Sequence, residues 1–286
     1  MIFEAIPWWS WSILLFGFTT ILGVVAVVAG VGGGVLYVPI VSALFPFHLD
    51  FVRGAGLMIA LTGALSAGPQ LLRSGLASLR LALPLALFGS IGSIGGALVG
   101  LALPEQTVKL LLGAAIFGIV VIMAISKSRE TVLPEQADRL AKRLSIQGSY
   151  LDRDTNSNVD WSIRNTPLGF AIFLAIGFLS GMFGLGAGWA NVPTLHLLLA
   201  APLKVAVATG GLILTVNPAA AAWVYLHSGA VLPLIAIPSI LGMMIGTRIG
   251  AKLLTTVKTG YIKIAVILIL LIAAIRQILD GVGVLG

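Results

Sequence analysis

Apolar residues in this chain fall in long runs, and the polar ones gather in short clusters between them. "LLLGAAIFGIVVIMAI" (Leu110 to Ile125) carries no charge at all. A membrane-crossing helix needs roughly 20 mostly apolar residues. The runs hold Gly and Pro but little period-two alternation, so they read as helices and not as barrel strands. The pattern predicts spans over 53–72, 78–102 and 106–126, then over 204–226, 231–253 and 261–279. Two further apolar elements, 11–46 and 167–201, are interrupted by "GVGGGVLYVP" (Gly30 to Pro39) and "GLGAGWANVP" (Gly184 to Pro193).

These two stretches belong to a duplication. One offset of 154 positions, without a gap, pairs Gly23 with Gly177, Gly32 with Gly186 and Gly34 with Gly188. It also pairs Val38-Pro39 with Val192-Pro193, Gly56 with Gly210, and Ser74-Gly75 with Ser228-Gly229. Pro84 falls on Pro238, Gly92 and Gly96 on Gly246 and Gly250, and Lys109 on Lys263. The chain therefore divides into repeat 1 (1–126), a polar linker (127–165) and repeat 2 (166–286). In the linker, "PEQADRLAKRL" (Pro134 to Leu144) suits a short amphipathic helix. The stretch Ser145 to Ile163 alternates on both sides of "DTNSN" (Asp154 to Asn158), as a β-hairpin does.

Composition agrees with lipid as the solvent. Of 286 residues 58% are hydrophobic and 9% charged, with a mean hydropathy of +1.09, whereas soluble domains carry about 25% charged residues. Cysteine is absent, which excludes disulfides and thiolate metal sites. The net charge of +7 is accounted for by basic loops on one membrane face, so nucleic acid is not an expected partner. "MIFEAIPWWSWS" lacks the basic start of a signal peptide, and Trp8, Trp9 and Trp11 suit an interfacial anchor.

Charge chooses between two architectures. If each broken element crosses the membrane once, the repeats lie parallel and the basic residues divide between the faces. If each doubles back, as a re-entrant hairpin or a tight pair of spans, the repeats are inverted. The linker face then collects 14 of the 17 basic residues, leaving Arg53, Lys109 and Arg276 opposite. Cytoplasmic loops are the basic ones. The expected fold is thus an all-α, polytopic helical bundle of two inverted repeats in the plasma membrane, each a Gly-broken element followed by three spans. The linker is cytoplasmic and both termini lie outside. Inverted repeats with interrupted helices mark secondary transporters.

Irregular backbone is tolerated within a membrane only where protein or a wet cavity covers it. Gly32, Gly33 and Gly34 can adopt positive φ and bare their N–H groups, and Gly186, Ala187 and Gly188 can do the same in the second repeat. Helix N-termini facing one another would hold a small anion. For Gly92, Gly96, Gly246 and Gly250 close helix packing is the expected role. Polar residues near the breaks complete the candidate site: Tyr37 and its repeat mate Asn191, then Thr194, His196 and Asn217. Thr62, Ser66, Thr209 and Thr215 could line the same cavity. His196 is either a proton carrier or a neutral ring bonded to a backbone carbonyl. Arg248 and Lys252 suit snorkelling at a span end, and Arg73 and His227 are candidate entrance residues on opposite faces. "NPA" (Asn217 to Ala219) resembles an aquaporin signature. Its repeat mate is Gly63-Ala64-Leu65, so it is read as accidental. No P-loop, HExxH or GxSxG motif is present, and neither an enzyme, a metal nor a cofactor is expected.

With both Gly motifs and the duplication, the chain resembles the TauE/SafE family of sulfite and organosulfonate exporters. The resemblance rests on Gly30 to Pro39, on "SGMFGLGAGWANVP" (Ser180 to Pro193), and on "GSYLD" (Gly148 to Asp152) in the linker. It departs at Ala187 and Trp189, where members commonly keep Gly and a smaller apolar residue; the indole could narrow the site or stack on a ligand. The resemblance implies export of small sulfur-containing or other organic anions. The leading expectation is therefore a secondary transporter exporting such an anion, with His196 as the route for coupled protons. An anion channel and a scaffold or sensor acting through the linker are the alternatives. Gly-rich faces allow a homodimer without requiring one.

Overall fold

The computed structural model describes residues 7–29, 32–73, 75–125, 137–152, 157–253 and 259–283. Repeat 1 supplies α1 (Trp8–Ala29), α2 (Gly33–Leu44), α3 (Leu49–Arg73), α4 (Leu79–Ala102) and α5 (Glu105–Ile125). The linker holds α6 (Arg139–Arg143), β1 (Gln147–Asp152) and β2 (Ser157–Ser162). Repeat 2 supplies α7 (Thr166–Phe183), α8 (Gly188–Pro193) with a π-helical turn (Thr194–Leu198), α9 (Leu203–Ile213), α10 (Asn217–His227), α11 (Pro233–Leu253) and α12 (Thr259–Gly281). Seven stretches among the described residues are long and apolar enough to cross a membrane. The bundle's outside is apolar too. On α4, Leu83, Leu87, Ile91 and Leu98 are all more than half exposed, so this is a multi-pass membrane protein whose outer face meets lipid.

The helix ends sort into two groups. Trp11 at the start of α1 packs edge-on against Phe45 and Phe47 beyond the end of α2, at 6.1 and 5.7 Å between ring centroids. The first broken element therefore doubles back to its starting end. The second does likewise: the Arg164 N–H donates to the Leu199 carbonyl at 3.1 Å, joining the end of the π turn to the start of α7. At the end marked by Trp11, His48 meets Glu105 at 3.2 Å and Ser12 Oγ donates to the Leu234 carbonyl at 3.2 Å. The starts of α3, α5 and α11 thus lie together there. At the linker end, the Ser78 N–H ahead of α4 donates to Thr209 Oγ1 of α9 at 3.1 Å.

The duplication is visible in contacts that occur twice. α1 packs on α11, and α7 packs on α4. A Cβ at Gly23 would meet the Met243 carbonyl; one at Gly177 would meet that of Gly89, 154 positions from Met243. Gly246 abuts Thr20 as Gly92 abuts Leu174, again one offset apart. Gly75 and Gly229, also mates, both turn with φ near +70° (+71° and +72°). At Gly23, Gly177, Gly92 and Gly246 the absence of a side chain lets two backbones touch, which is how helices associate where lipid offers no hydrophobic drive.

One expected span is not continuous. The segment 204–226 breaks at Leu214–Val216, between α9 and α10. Pro218 has no N–H to give the Leu214 carbonyl, so the helical ladder cannot pass, and α10 starts afresh with Pro in its first turn. The repeat mate, α3, has no proline there and runs unbroken.

In the linker, β1 and β2 pair antiparallel with Gln147 opposite Ser162; residues 153–156, within the expected turn, lie outside the described residues, as do 126–136. Asp138 ties this cap to the bundle. Its Oδ1 accepts from the Ala141 N–H at 2.7 Å, capping α6, and its Oδ2 accepts from the Thr166 N–H at 2.6 Å, at the start of α7. Burial raises the Asp138 pKa, but these bonds and that from the Thr166 hydroxyl outweigh it and leave the carboxyl below its ordinary value. Ala141, Ile146, Trp161 and Ile163 share a core with Phe173 of α7, Leu195 of the π turn and Leu199 just beyond it.

Candidate functional site where three broken helices meet

The two glycine breaks touch. A Cβ at Gly32 would stand 3.7 Å from the Gly188 Cα, and one at Gly188 would stand 3.6 Å from the Gly32 Cα. The glycines reach this arrangement differently from the sequence expectation. Gly32 is extended, with φ −61° and ψ 140°, and Gly33 and Gly34 are already helical. None of the three uses positive φ; what they need is the missing Cβ. One at Gly34 would stand 2.6 Å from the Leu185 carbonyl, and one at Gly33 would stand 3.0 Å from Met243 Sδ. In the second break the left-handed residues are Gly184 (φ +71°) and Gly186 (φ +69°), and Gly186 faces Ala60 of α3. Ala187 is the fully buried residue capping α8.

The helix after the second break is misshapen by Pro193. Lacking an N–H, Pro193 cannot continue the α ladder, and the chain widens into the π turn 194–198. His196 sits on this turn, buried, with Nδ1 3.0 Å from the Ala201 carbonyl. A carbonyl only accepts, so Nδ1 carries the proton in this contact. Thr194 is half-buried on the same turn. One turn earlier, Asn191 donates from Nδ2 to the Gly210 carbonyl at 3.2 Å, while its Oδ1 is buried without a partner. Trp189 Nε1 is likewise buried and unpartnered. Tyr37 instead turns into the other half, its hydroxyl 3.1 Å from Ser239 Oγ on α11.

The third break brings in Asn217, expected from sequence as a candidate site residue although its "NPA" motif was read as accidental. A Cβ at Gly188 would lie 3.3 Å from Leu214 at the α9–α10 break, so three helix interruptions converge. Asn217 opens α10, fully buried, with Oδ1 3.4 Å from Ser90 Oγ of α4 and Nδ2 without a partner.

Beside the breaks, α3 and α11 enclose a cavity of about 40 Å³, lined by residues that include Thr62, Gly63, Ser66, Thr247 and Arg248. That is space for two or three waters, or a small oxyanion. Met243 belongs to both places, since it lines the cavity and touches Gly33. The Thr62, Ser66 and Thr247 hydroxyls donate to carbonyls of their own helices, at 2.7, 2.8 and 3.1 Å. Arg248, read from sequence as a snorkelling residue, is the cavity's cation. Of the other residues expected to line it, Thr209 and Thr215 stay outside: Thr209 accepts from Ser78, and Thr215 donates to the Leu212 carbonyl at 2.7 Å.

The sequence reading counted Arg53 only as an external charge. It is 1% exposed. Its Nη1 donates to the Met182 carbonyl at 2.7 Å and its Nη2 to the Gly100 carbonyl at 3.1 Å. Nη2 also pairs with Asp50, and the guanidinium lies 5.6 Å from the Tyr225 ring centroid. Arg53 thus joins α3 to the C-terminal turns of α4 and α7, where carbonyls lack helical partners. The available signal was a lone Arg inside an apolar run.

A family model described as "Sulfite exporter TauE/SafE" matches residues 14–277, nearly the whole chain. The chain belongs to the TauE/SafE family. Two relatives of this TauE/SafE protein cover its length. "Probable membrane transporter protein YunE" of Bacillus subtilis (strain 168) is 26% identical over 269 residues, 92% of this chain and 95% of that protein. "Probable membrane transporter protein ORF9" of Sinorhizobium sp is 25% identical over 270 residues, 93% and 92% of the two chains. No solved structure matches. As a TauE/SafE protein with seven apolar spans among its described residues, the chain is a membrane transporter.

Proposed function

We propose that the protein exports a small anion, such as sulfite, an organosulfonate or a similar organic anion, by alternating access around the meeting point of its broken helices. The observation that carries this reading is the contact of Gly32 with Gly188, one break from each repeat, beside a cavity that ends at Arg248. The first turn of α2 presents N–H groups without helical partners there, and the helix dipole favours a negative charge. The sorting of helix ends supports inverted repeats. The basic linker face supports a cytoplasmic linker with both termini outside. Substrate would enter from the linker end, where the cavity lies. Proton coupling through His196 belongs to the same proposal, with the ring held in place by the contact of Nδ1 with the Ala201 carbonyl.

Calorimetric titration of the detergent-purified protein with sulfite, methanesulfonate and acetate tests the reading. Gly188→Val is the informative variant, because its methyls would fill the space between the breaks, toward Leu214. Gly34→Val is not, since the Leu185 backbone blocks any side chain there. Saturable binding of an anion, lost in Gly188→Val and weakened roughly tenfold or more in Arg248→Gln, is the expected result. No binding of any of the three, or equal affinity in Gly188→Val, removes the site. His196→Gln should flatten the pH dependence of transport, and an unchanged profile assigns the ring a structural role.

A further inference from the structure

The cavity between α3 and α11 has a counterpart that is shut. Shifted by 154 positions, Gly63, Ser66, Met243, Thr247 and Arg248 become Asn217, Ala220, Gly89, Ser93 and Ile94. These mates lie on α10 and α4, which pack together as α3 and α11 do. In the first cleft the α3 position is Gly63, where a Cβ would meet nothing within 4 Å. In the second, the Asn217 amide presses on Gly89: a Cβ there would collide with Nδ2, with Cγ 2.8 and Oδ1 2.9 Å away. Asn217 and Ser93 are wholly buried, yet Asn217 Nδ2 and Ser93 Oγ have no hydrogen-bond partner. An unmet donor in a closed contact is costly and calls for a reason. Above this contact, toward the end marked by Trp11, the same helices are fastened by Arg53 through the Gly100 carbonyl and the Tyr225 ring. At the corresponding place in the other half stands Val207, about half exposed.

We propose that Asn217, Ser90 and Ser93 form the second mouth of the anion path, closed in this structure, and that the two mouths open in opposition. When this mouth opens, the Asn217 amide and the two serine hydroxyls become donors to the same small oxyanion that the first cleft receives. With Ile94 in place of Arg248 they hold it without a cation, which suits release. The proposal rests on the transporter reading for its purpose, but not for its test.

The chain has no cysteine, so Ser66→Cys and Ser93→Cys each introduce a single thiol, one in each mouth. Labelling by N-ethylmaleimide is timed for the purified protein in detergent with no substrate present. In the otherwise unaltered chain S66C should react at least roughly tenfold faster than S93C, as an exposed site does beside one that needs opening. Two independent changes should then reverse the preference. Asn217→Gly removes the plug and copies Gly63; Gly89→Ala drives a methyl into the plug. Each should speed labelling of S93C several-fold and slow that of S66C, with unchanged helical content and gel-filtration profile. The reciprocal shift in either folded variant supports the proposal. Equal rates in the starting pair, or a rise at position 93 without the fall at 66, overturn it. Because no anion is used, a failure here leaves the calorimetric reading standing, and a failure of that reading leaves this one.

Discussion

Gly92→Ala tests whether backbone contact between the repeats holds the bundle together. An alanine Cβ at Gly92 would collide with the Leu174 carbonyl oxygen and stand 2.9 Å from both the Leu174 carbon and the Phe178 nitrogen. These are backbone atoms, so no rotamer change relieves the clash, and α4 and α7 must part by about 1 Å or more, an overpacking that costs roughly 1–3 kcal/mol. Gly246→Ala faces the same obstacle in the mate contact, against Thr20 of α1, and should cost a similar amount. Gly17→Ala and Gly118→Ala are the controls. They lie within α1 and α5, and a Cβ at either meets nothing within 4 Å. Relieved of glycine's backbone entropy, they should gain about 0.5–1 kcal/mol. Equilibrium unfolding in mixed micelles, followed by circular dichroism, should therefore place the two pairs about 2–4 kcal/mol apart with opposite signs relative to the parent. Because the two contacts are separate, the double variant Gly92→Ala, Gly246→Ala should lose close to the sum. If Gly92→Ala unfolds together with Gly17→Ala, the close approach of α4 and α7 is not what holds the repeats, and the packing argument fails.

Arg53→Gln should destabilise the protein by about 3 kcal/mol, the loss expected when one partner of a buried charge network is removed; Asp50→Asn should cost less, because that carboxylate is 28% exposed. Unfolding in micelles measures both, and equal, small effects would mean that Arg53 does not fasten α4 and α7. Asp138→Asn should loosen the linker cap by about 1 kcal/mol at neutral pH, because the bonds from the Ala141 and Thr166 N–H groups lose their charge assistance. Since the folded pKa of Asp138 is depressed, its stabilising effect is present above the ordinary carboxylate value and lost as pH falls through the folded one. The difference between parent and variant should therefore shrink toward zero on acidification below that ordinary value, and a difference independent of pH would refute the ionic cap.

The duplication and the doubling back of its broken elements were legible because they repeat. Three of the four glycines in "GVGGG" have a glycine partner and the fourth falls on Ala187, and the basic residues all but empty one face if the elements return. The α9–α10 break was hidden by the same comparison. Asn217-Pro218 has Gly63-Ala64 as its mate, so a search for what the halves share discards the feature that sets them apart. Asn-Pro is nonetheless a helix-start signal when read locally. The backbone conformation of Gly32 to Gly34 was misassigned for another reason. Glycine permits both positive φ and close approach, and only the path of the neighbouring chain tells which is used. Arg53 was missed because charge counting treats a cation as belonging to a face, whereas its partners, the Met182 and Gly100 carbonyls, carry no sequence signature at all.

Val207, where the repeat would place a second Arg53, bears on how the carrier waits between cycles. A symmetric duplication would rest equally with either side open, but a fastening present on one side alone tilts that balance. If it contributes about 3 kcal/mol to one conformer only, the empty protein sits with its linker side open in more than 99 of roughly 100 molecules. In the proposed alternating-access cycle, an anion arriving from that side would find a vacancy almost always. One arriving from the far side meets a competent molecule about once in a hundred encounters, and its apparent affinity falls by the same factor. Gradients still decide the direction of net flux, but a single arginine without a repeat mate would decide which side the carrier waits to serve.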